Sequence, residues 1–146
     1  MQKTIINELK KLDTEIARRL FSISKEKNID APPSPLQGRI MKYLVNNKDK
    51  EIYQKDLEDI FKVSKATVSS VLLSMENNKL IKRITLDTDA RSKKIVLAEN
   101  SQKVYEDMKI VFQKLNEELE NGLSKEEVDN FYKTIEKMYK NIKNDN

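Results

Sequence analysis

The 146-residue chain contains no cysteine and no histidine. Disulfides, thiol-based redox sensing and zinc held by thiolate or imidazole are therefore excluded. Mechanisms built on a histidine base or a cysteine nucleophile are excluded with them. No apolar run approaches the roughly eighteen residues of a membrane span, and no signal-peptide pattern is present. Neither membrane insertion nor secretion is indicated, and the cytoplasm is the expected location. Acidic residues occur on helix surfaces rather than as catalytic pairs. The chain is read as a non-enzyme without cofactor or metal.

What is present is charge. Charged residues make up 36% of the chain and apolar ones 38%, where about a quarter charged is usual. Residues 50–97 carry ten Lys/Arg against seven Asp/Glu, and residues 98–146 carry eight against eleven. The middle of the chain is basic and its last third acidic, which suits an oriented binder of a polyanion.

In chain order, Ile5, Leu9, Leu12, Ile16, Leu20 and Ile23 recur at helical spacing, and residues 2–28 read as one helix about 40 Å long. Pro32, Pro33 and Pro35 end it. Ser34, Pro35 and Gln37 spell a capping box for a helix over Leu36–Val45, burying Ile40, Leu44 and Met41. Gly38 inside it suggests a close helix contact. Ile52–Phe61 reads as a short helix with Leu57, Ile60 and Phe61 inward, opened by Tyr53, an uncommon cap. After Lys62 and Val63, Ser64 caps a helix to Met75 with Val68, Val71, Leu72 and Met75 on one stripe. Its other face is read as short and polar: Lys65, Thr67, Ser69, Ser70 and Ser74. The strand-like runs Ile81–Leu86 and Lys93–Ala98 flank a polar loop, 87–92, and form a hairpin. Two more helices follow, Asn100–Asn121 and one capped by Ser124 and Glu127. The latter carries Val128, Phe131, Ile135, Met138 and Ile142 as an apolar seam.

Helix, short turn, helix, hairpin is the order of a winged helix-turn-helix. From Gln54 to Leu97 the sequence, with SKATVSSVLLSMENNKLIKR and the later D-x-R of Asp89 and Arg91, resembles the MarR family of bacterial transcription regulators. It departs from the family at four places: Lys62 and the Asn77–Lys79 exit stand where glycine is common, Ser70 where arginine is common, and Ala98 where threonine is usual. Asparagine at that exit is expected to take the left-handed conformation.

The expected fold is mainly α with a small β-wing. A winged helix-turn-helix domain (34–98) is flanked by an N-terminal dimerisation helix (1–30) and C-terminal dimerisation helices (99–146). The resemblance implies that the end helices interlock two copies into a homodimer. It also implies a small-molecule effector bound where they meet the winged unit, near Phe21, Met41 and Tyr43, although no ligand residue is singled out. Two linked units would address half-sites about 34–36 Å apart on a near-palindromic operator in double-stranded DNA. The expected activity is sequence-specific transcription regulation, as a repressor.

Lys65, Ala66, Thr67 and Ser70 are expected nearest the base edges, Lys65 donating to guanine and Ala66 or the Thr67 methyl touching thymine. Ser64 and Ser69 are expected at phosphates, helped by the helix N-terminus. Arg91 is expected in the minor groove, held by Asp89, with Lys93 and Lys94 on phosphates. Two other readings fit the same fold: a winged-helix module that grips a protein, and an architectural DNA binder without sequence preference.

Overall fold

The structure, a computed structural model, describes residues 2–29, 32–86 and 89–143, and the side chains of all of these except 86 and 89–92. The elements are α1 (Ile5–Glu26), α2 (Pro35–Asn46), α3 (Gln54–Phe61), α4 (Lys65–Asn77), β1 (Ile81–Leu86), β2 (Asp89–Leu97), α5 (Ser101–Glu120) and α6 (Lys125–Lys143). This is the mainly helical fold with a two-stranded wing that the sequence predicts. The chain divides into two compact units, Met1–Val111 and Phe112–Asn146.

The core of the first unit lies where α2, α3, α4 and the wing converge. It is built from Ile40, Met41 and Leu44, then Leu57, then Val68, Leu72 and Met75, closed by Ile81 and Ile95. Tyr43 and Phe61 meet edge to face at its margin, ring centroids 6.3 Å apart. Truncating a side chain as enclosed as Leu72 to alanine would cost about 2–5 kcal/mol, enough to threaten a unit this small.

Local sequence chemistry fixes the helix ends. Ser34 Oγ accepts from the Gln37 amide at 3.3 Å and Gln37 Oε1 accepts from the Ser34 amide at 3.1 Å, so α2 opens with the expected box. Thr4 caps α1, accepting from the Asn7 amide at 3.1 Å. The helix therefore begins at Ile5 rather than residue 2 and, at 22 residues, is about 33 Å long. Its stripe is graded: Ile5, Leu9 and Leu12 are exposed, Ile16 and Leu20 half-buried, and Ile23 fully buried.

Four local expectations are corrected. First, α3 starts at Gln54, not Ile52, because the Ile52 carbonyl accepts from the Ile95 amide at 2.7 Å and Tyr53 bridges Lys94. The residues that would have extended the helix are spent on tying it to the wing. Asp56 then caps α3 by accepting from the Tyr53 amide at 2.8 Å, while Ile60 turns outward, 43% exposed. Second, the left-handed residue at the end of α4 is Lys79, with φ 60°, whereas Asn78 has φ −86°. The Leu80 amide donates to Met75 and the Lys79 amide to Glu76, the reach-back pattern that needs a left-handed residue at position 79. Third, a β carbon at Gly38 would meet nothing within 4 Å, so no close helix contact explains that glycine. Fourth, β2 begins at Asp89, four residues before the expected Lys93, and the hairpin register shifts between Thr85 and Leu86. The D-x-R motif therefore sits on a strand rather than in a loop.

In the second unit, Gly122 with φ 82° closes α5, and Ser124 opens α6 by accepting from the Glu127 amide at 3.1 Å. The seam of α6 has no buried member: Val128, Ile135 and Met138 are half-buried, Phe131 and Ile142 exposed.

Candidate nucleic-acid interface

Between α3 and α4 the chain turns through Lys62, which has φ 52° and ψ 48°. Ser64 then takes the cap position of α4. Its Oγ accepts from the Thr67 amide at 3.2 Å and donates to Thr67 Oγ1 at 2.9 Å. The two hydroxyls thus orient one another, and the first turn of α4, with its partial positive charge, lies exposed.

Lys65, Ala66, Thr67 and Ser70 are all exposed, as a surface meant to approach a groove requires. Ser69 is not among them. It is half-buried, and its Oγ accepts from Gln54 Nε2 at 2.8 Å, locking α4 to the first turn of α3. The outward face is also not uniformly short and polar: Leu73 stands on it, 54% exposed.

The wing sorts its cations by strand alternation. Directly opposed residues share a face, and Arg83 opposes Ile95 while Thr85 opposes Lys93. Arg83 and Lys93 thus lie on the face turned toward the helices, whereas Lys94, opposite Ile84, takes the other face. The result is a concavity of about 600 Å³ between α3, α4 and the wing. Among the described residues, Lys55, Lys65, Arg83 and Lys93 line it against two acids, Glu58 and Asp59. Lys94 instead borders a separate hollow with Lys48 and Lys50. Of the expected site residues, the structure gathers Lys65, Ser69 and Lys93 and leaves Lys94 apart. The side chains of Asp89 and Arg91 lie outside the described residues.

Arg83 is the residue that the sequence reading missed. Its Nε is buried without a hydrogen bond among the described residues, and Glu76 Oε1 is 3.9 Å away. A signal was available in the sequence, because Arg83 falls two residues after Ile81 on the core-facing side of a strand. Tyr53 also borders the concavity and donates its phenol to Glu51 at 3.0 Å. Partial burial, the hydrogen bond to Glu51 and the nearby charges of Glu51 and Asp56 raise its pKa above the ordinary value of 10.0.

Phe21, Met41 and Tyr43 do not share one cavity. Met41 is inside the core, Tyr43 packs on Phe61, and Phe21 is exposed with Lys25 Nζ 4.6 Å above its ring. The hollow beside the end of α1 is instead mixed, bordered by Lys27, Asn28, Lys103 and Asp107 and by the apolar Ile29, Leu80 and Val104. Among the described residues, no cluster of three acidic groups is placed to hold a metal ion, and no helix is long and apolar enough to cross a membrane.

The winged unit, residues 32–92, matches the model of the MarR family. Among solved structures, the chain is similar to the heme sensor protein PefR from Streptococcus agalactiae in complex with heme. The two are 26% identical over 96% of this chain and 95% of that one, with a TM-score of 0.78. The fold is also that of the S. aureus MepR–DNA complex, 23% identical over 97% of this chain and 99% of that one, TM-score 0.75. A further structure of MepR, a transcription regulator of the Staphylococcus aureus multidrug efflux pump MepA, aligns at 24% identity over 96% and 99%, TM-score 0.63. Residues 32–92 thus match the MarR family model, and nearly the whole length of the chain takes the fold of the PefR structure.

Proposed function

We propose that the chain is a sequence-specific, double-stranded DNA-binding transcription regulator that works as a homodimer on a near-palindromic site. The observation that carries this reading is the cationic concavity, in which Lys55, Lys65, Arg83 and Lys93 flank an exposed helix N-terminus. Such a surface fits a phosphate backbone, and the exposed first turn of α4 beside it fits a major groove. The MepR–DNA complex, of the same fold, supports the partner. Ser64 and the α4 N-terminus, Lys65 and Lys93 are assigned to phosphates and groove. Ala66, Thr67 and Ser70 are assigned to base edges. Asp89 and Arg91 are assigned to the wing tip on the strength of the motif.

Two copies are needed because α1 and α6 each leave apolar side chains uncovered. Ile5 and Ile6 are 60% and 65% exposed on α1, and Tyr139 and Ile142 are 55% and 76% exposed on α6. The homodimer buries these surfaces and sets the spacing of two α4 helices.

Repression released by a small organic effector completes the reading. The heme of PefR stays with PefR, because this sequence offers neither the imidazole nor the thiolate that commonly holds heme iron. Of its methionines, Met41, Met75 and Met108 are buried, and Met108 Sδ accepts from Ser24 Oγ at 4.0 Å. Tyrosine and methionine remain the axial ligand types this sequence could offer, and no heme is assigned to it.

Selection of bound sequences from a random duplex pool, with sedimentation of the free protein, tests the proposal. An inverted repeat and a dimer are expected. Binding without an enriched sequence would leave an architectural binder, and no binding in dilute buffer would leave a protein-gripping module.

A further inference from the structure

We infer that Leu73 is a specificity-determining residue that reads thymine C5 methyl groups, so the preferred duplex presents thymines to the third turn of α4. This rests on the DNA-binding function proposed above and concerns what that surface selects.

At 100° per residue, Ala66, Ser70, Leu73 and Asn77 fall within about 60° of one another around the helix. All four are exposed. Val68, Leu72 and Met75, on the opposite side, are buried. Leu73 therefore belongs to the face that the core leaves outward. A lone exposed leucine is ordinary on a protein surface. Here its neighbours make it informative, because Ala66 and Ser70 end at the β carbon or one atom beyond. The isobutyl group of Leu73, 54% exposed, extends beyond them on that face.

The rest of the helix narrows what Leu73 meets. From Lys65 to Asn77 there is no arginine and no glutamine, and the one asparagine is the last residue. The helix's one acid, Glu76, is turned to Arg83. The side chains that read guanine or adenine in bidentate fashion are thus confined to the two ends of α4, Lys65 at its start and Asn77 at its last position. What separates base pairs for an apolar group in the major groove is the thymine methyl. Lys65, Arg83 and Lys93 stand beside this face and bring the backbone close enough for that contact.

The test needs the duplex enriched from the random pool and a second copy in which each conserved thymine is replaced by deoxyuridine. That change removes the methyl and keeps pairing and charge. The unaltered protein is expected to bind the deoxyuridine duplex about fourfold more weakly per methyl contacted, the factor that follows from about 0.8 kcal/mol per buried carbon. L73A is expected to discriminate between the two duplexes less than the unaltered protein does, by about fourfold per methyl that Leu73 contacts, any remainder belonging to Ala66 and Thr67, and to keep the salt dependence of the unaltered protein. Its fold is checked by thermal melting, and the deoxyuridine comparison on unaltered protein stands without it. Equal affinity of the unaltered protein for both duplexes overturns the inference. So does an enriched site without thymine, and so does an L73A variant that discriminates as strongly as the unaltered protein. Absence of duplex binding altogether is a different result and removes the DNA-binding proposal itself.

Discussion

Arg83 on β1 and Glu76 on α4 face each other across 3.9 Å, and the Arg83 Nε is buried with its hydrogen bond unmade among the described residues. The distance allows attraction but no hydrogen bond. Because Arg83 also borders the cationic concavity, its guanidinium is placed to pair with a phosphate oxygen arriving there. Arg83→Gln is expected to flatten the dependence of log affinity on log salt by about one unit, the signature of one lost phosphate contact. Glu76→Gln is expected to leave that slope intact. Titrating a labelled duplex at several salt concentrations decides it, and an unchanged slope for Arg83→Gln would confine the residue to a structural role.

Ser69 and Ser70, adjacent in sequence, should respond differently to alanine. Ser69 Oγ accepts from Gln54 Nε2 and is half-buried, while Ser70 is exposed. Ser69→Ala is expected to cost about 1 kcal/mol of stability, the net worth of one such hydrogen bond, and to weaken binding little. Ser70→Ala is expected to leave the melting temperature alone and to alter binding. Paired melts and duplex titrations separate the two.

Two lysines hold left-handed backbone, Lys62 with φ 52° and Lys79 with φ 60°. For a residue with a β carbon that conformation costs about 1–2 kcal/mol. Lys79→Gly relieves it while adding backbone freedom to the unfolded chain, so a gain of about 0.5–1 kcal/mol is expected. Lys79→Ala keeps the β carbon and should show no such gain. Chemical denaturation of the two variants provides the measurement.

What was legible in the sequence, and what was not, follows from these same places. Side-chain periodicity announced every helix, because burial writes itself as a stripe: Val68, Leu72 and Met75 were readable as core and are buried. Caps with a local code, such as Ser34 with Gln37, were readable too. Backbone conformation without a specific residue code was not. Asparagine was expected to bear the left-handed turn, yet the reach-back bonds fix it one residue later, on a lysine. The start of α3 was misplaced because Ile52 is held by a strand over forty residues away, and no local pattern records a long-range hydrogen bond. In the candidate site, Lys65 and Lys93 were legible from charge, whereas Ser69, expected at a phosphate, is half-buried and holds Gln54. Arg83 and Gln54 were not legible, since their roles depend on which elements meet across the concavity.

Binding should be indifferent to pH between about 6 and 8. Histidine is the side chain whose ordinary pKa lies in that interval, and the sequence has none. Tyr53, at the edge of the site, is shifted upward by partial burial, by its bond to Glu51 and by the nearby acids, so its phenol stays neutral throughout. A group whose folded pKa is raised adds stability below its unfolded pKa and loses it as pH climbs through the folded value. Any contribution from Tyr53 is therefore lost only above pH 10. Duplex titrations at constant ionic strength across pH 6–8 are expected to superimpose.

The assembly prediction concerns α1. Leu9 and Leu12 lie on its apolar stripe, 43% and 44% exposed, beyond the graded point where the stripe enters the core at Ile23. Because they contribute little to the buried core, charging them should spare the winged unit. Because a second copy is proposed to cover them, the same change should abolish association. The double variant Leu9→Asp, Leu12→Asp is expected to sediment as a folded monomer. It should bind a duplex with one half-site as well as the unaltered protein does, and lose the advantage that two linked units gain on the full inverted repeat. If the variant remains dimeric, α1 is not the clasp. If it is monomeric yet keeps the full-site affinity, the two α4 helices are not acting together, and the near-palindromic operator loses its physical basis.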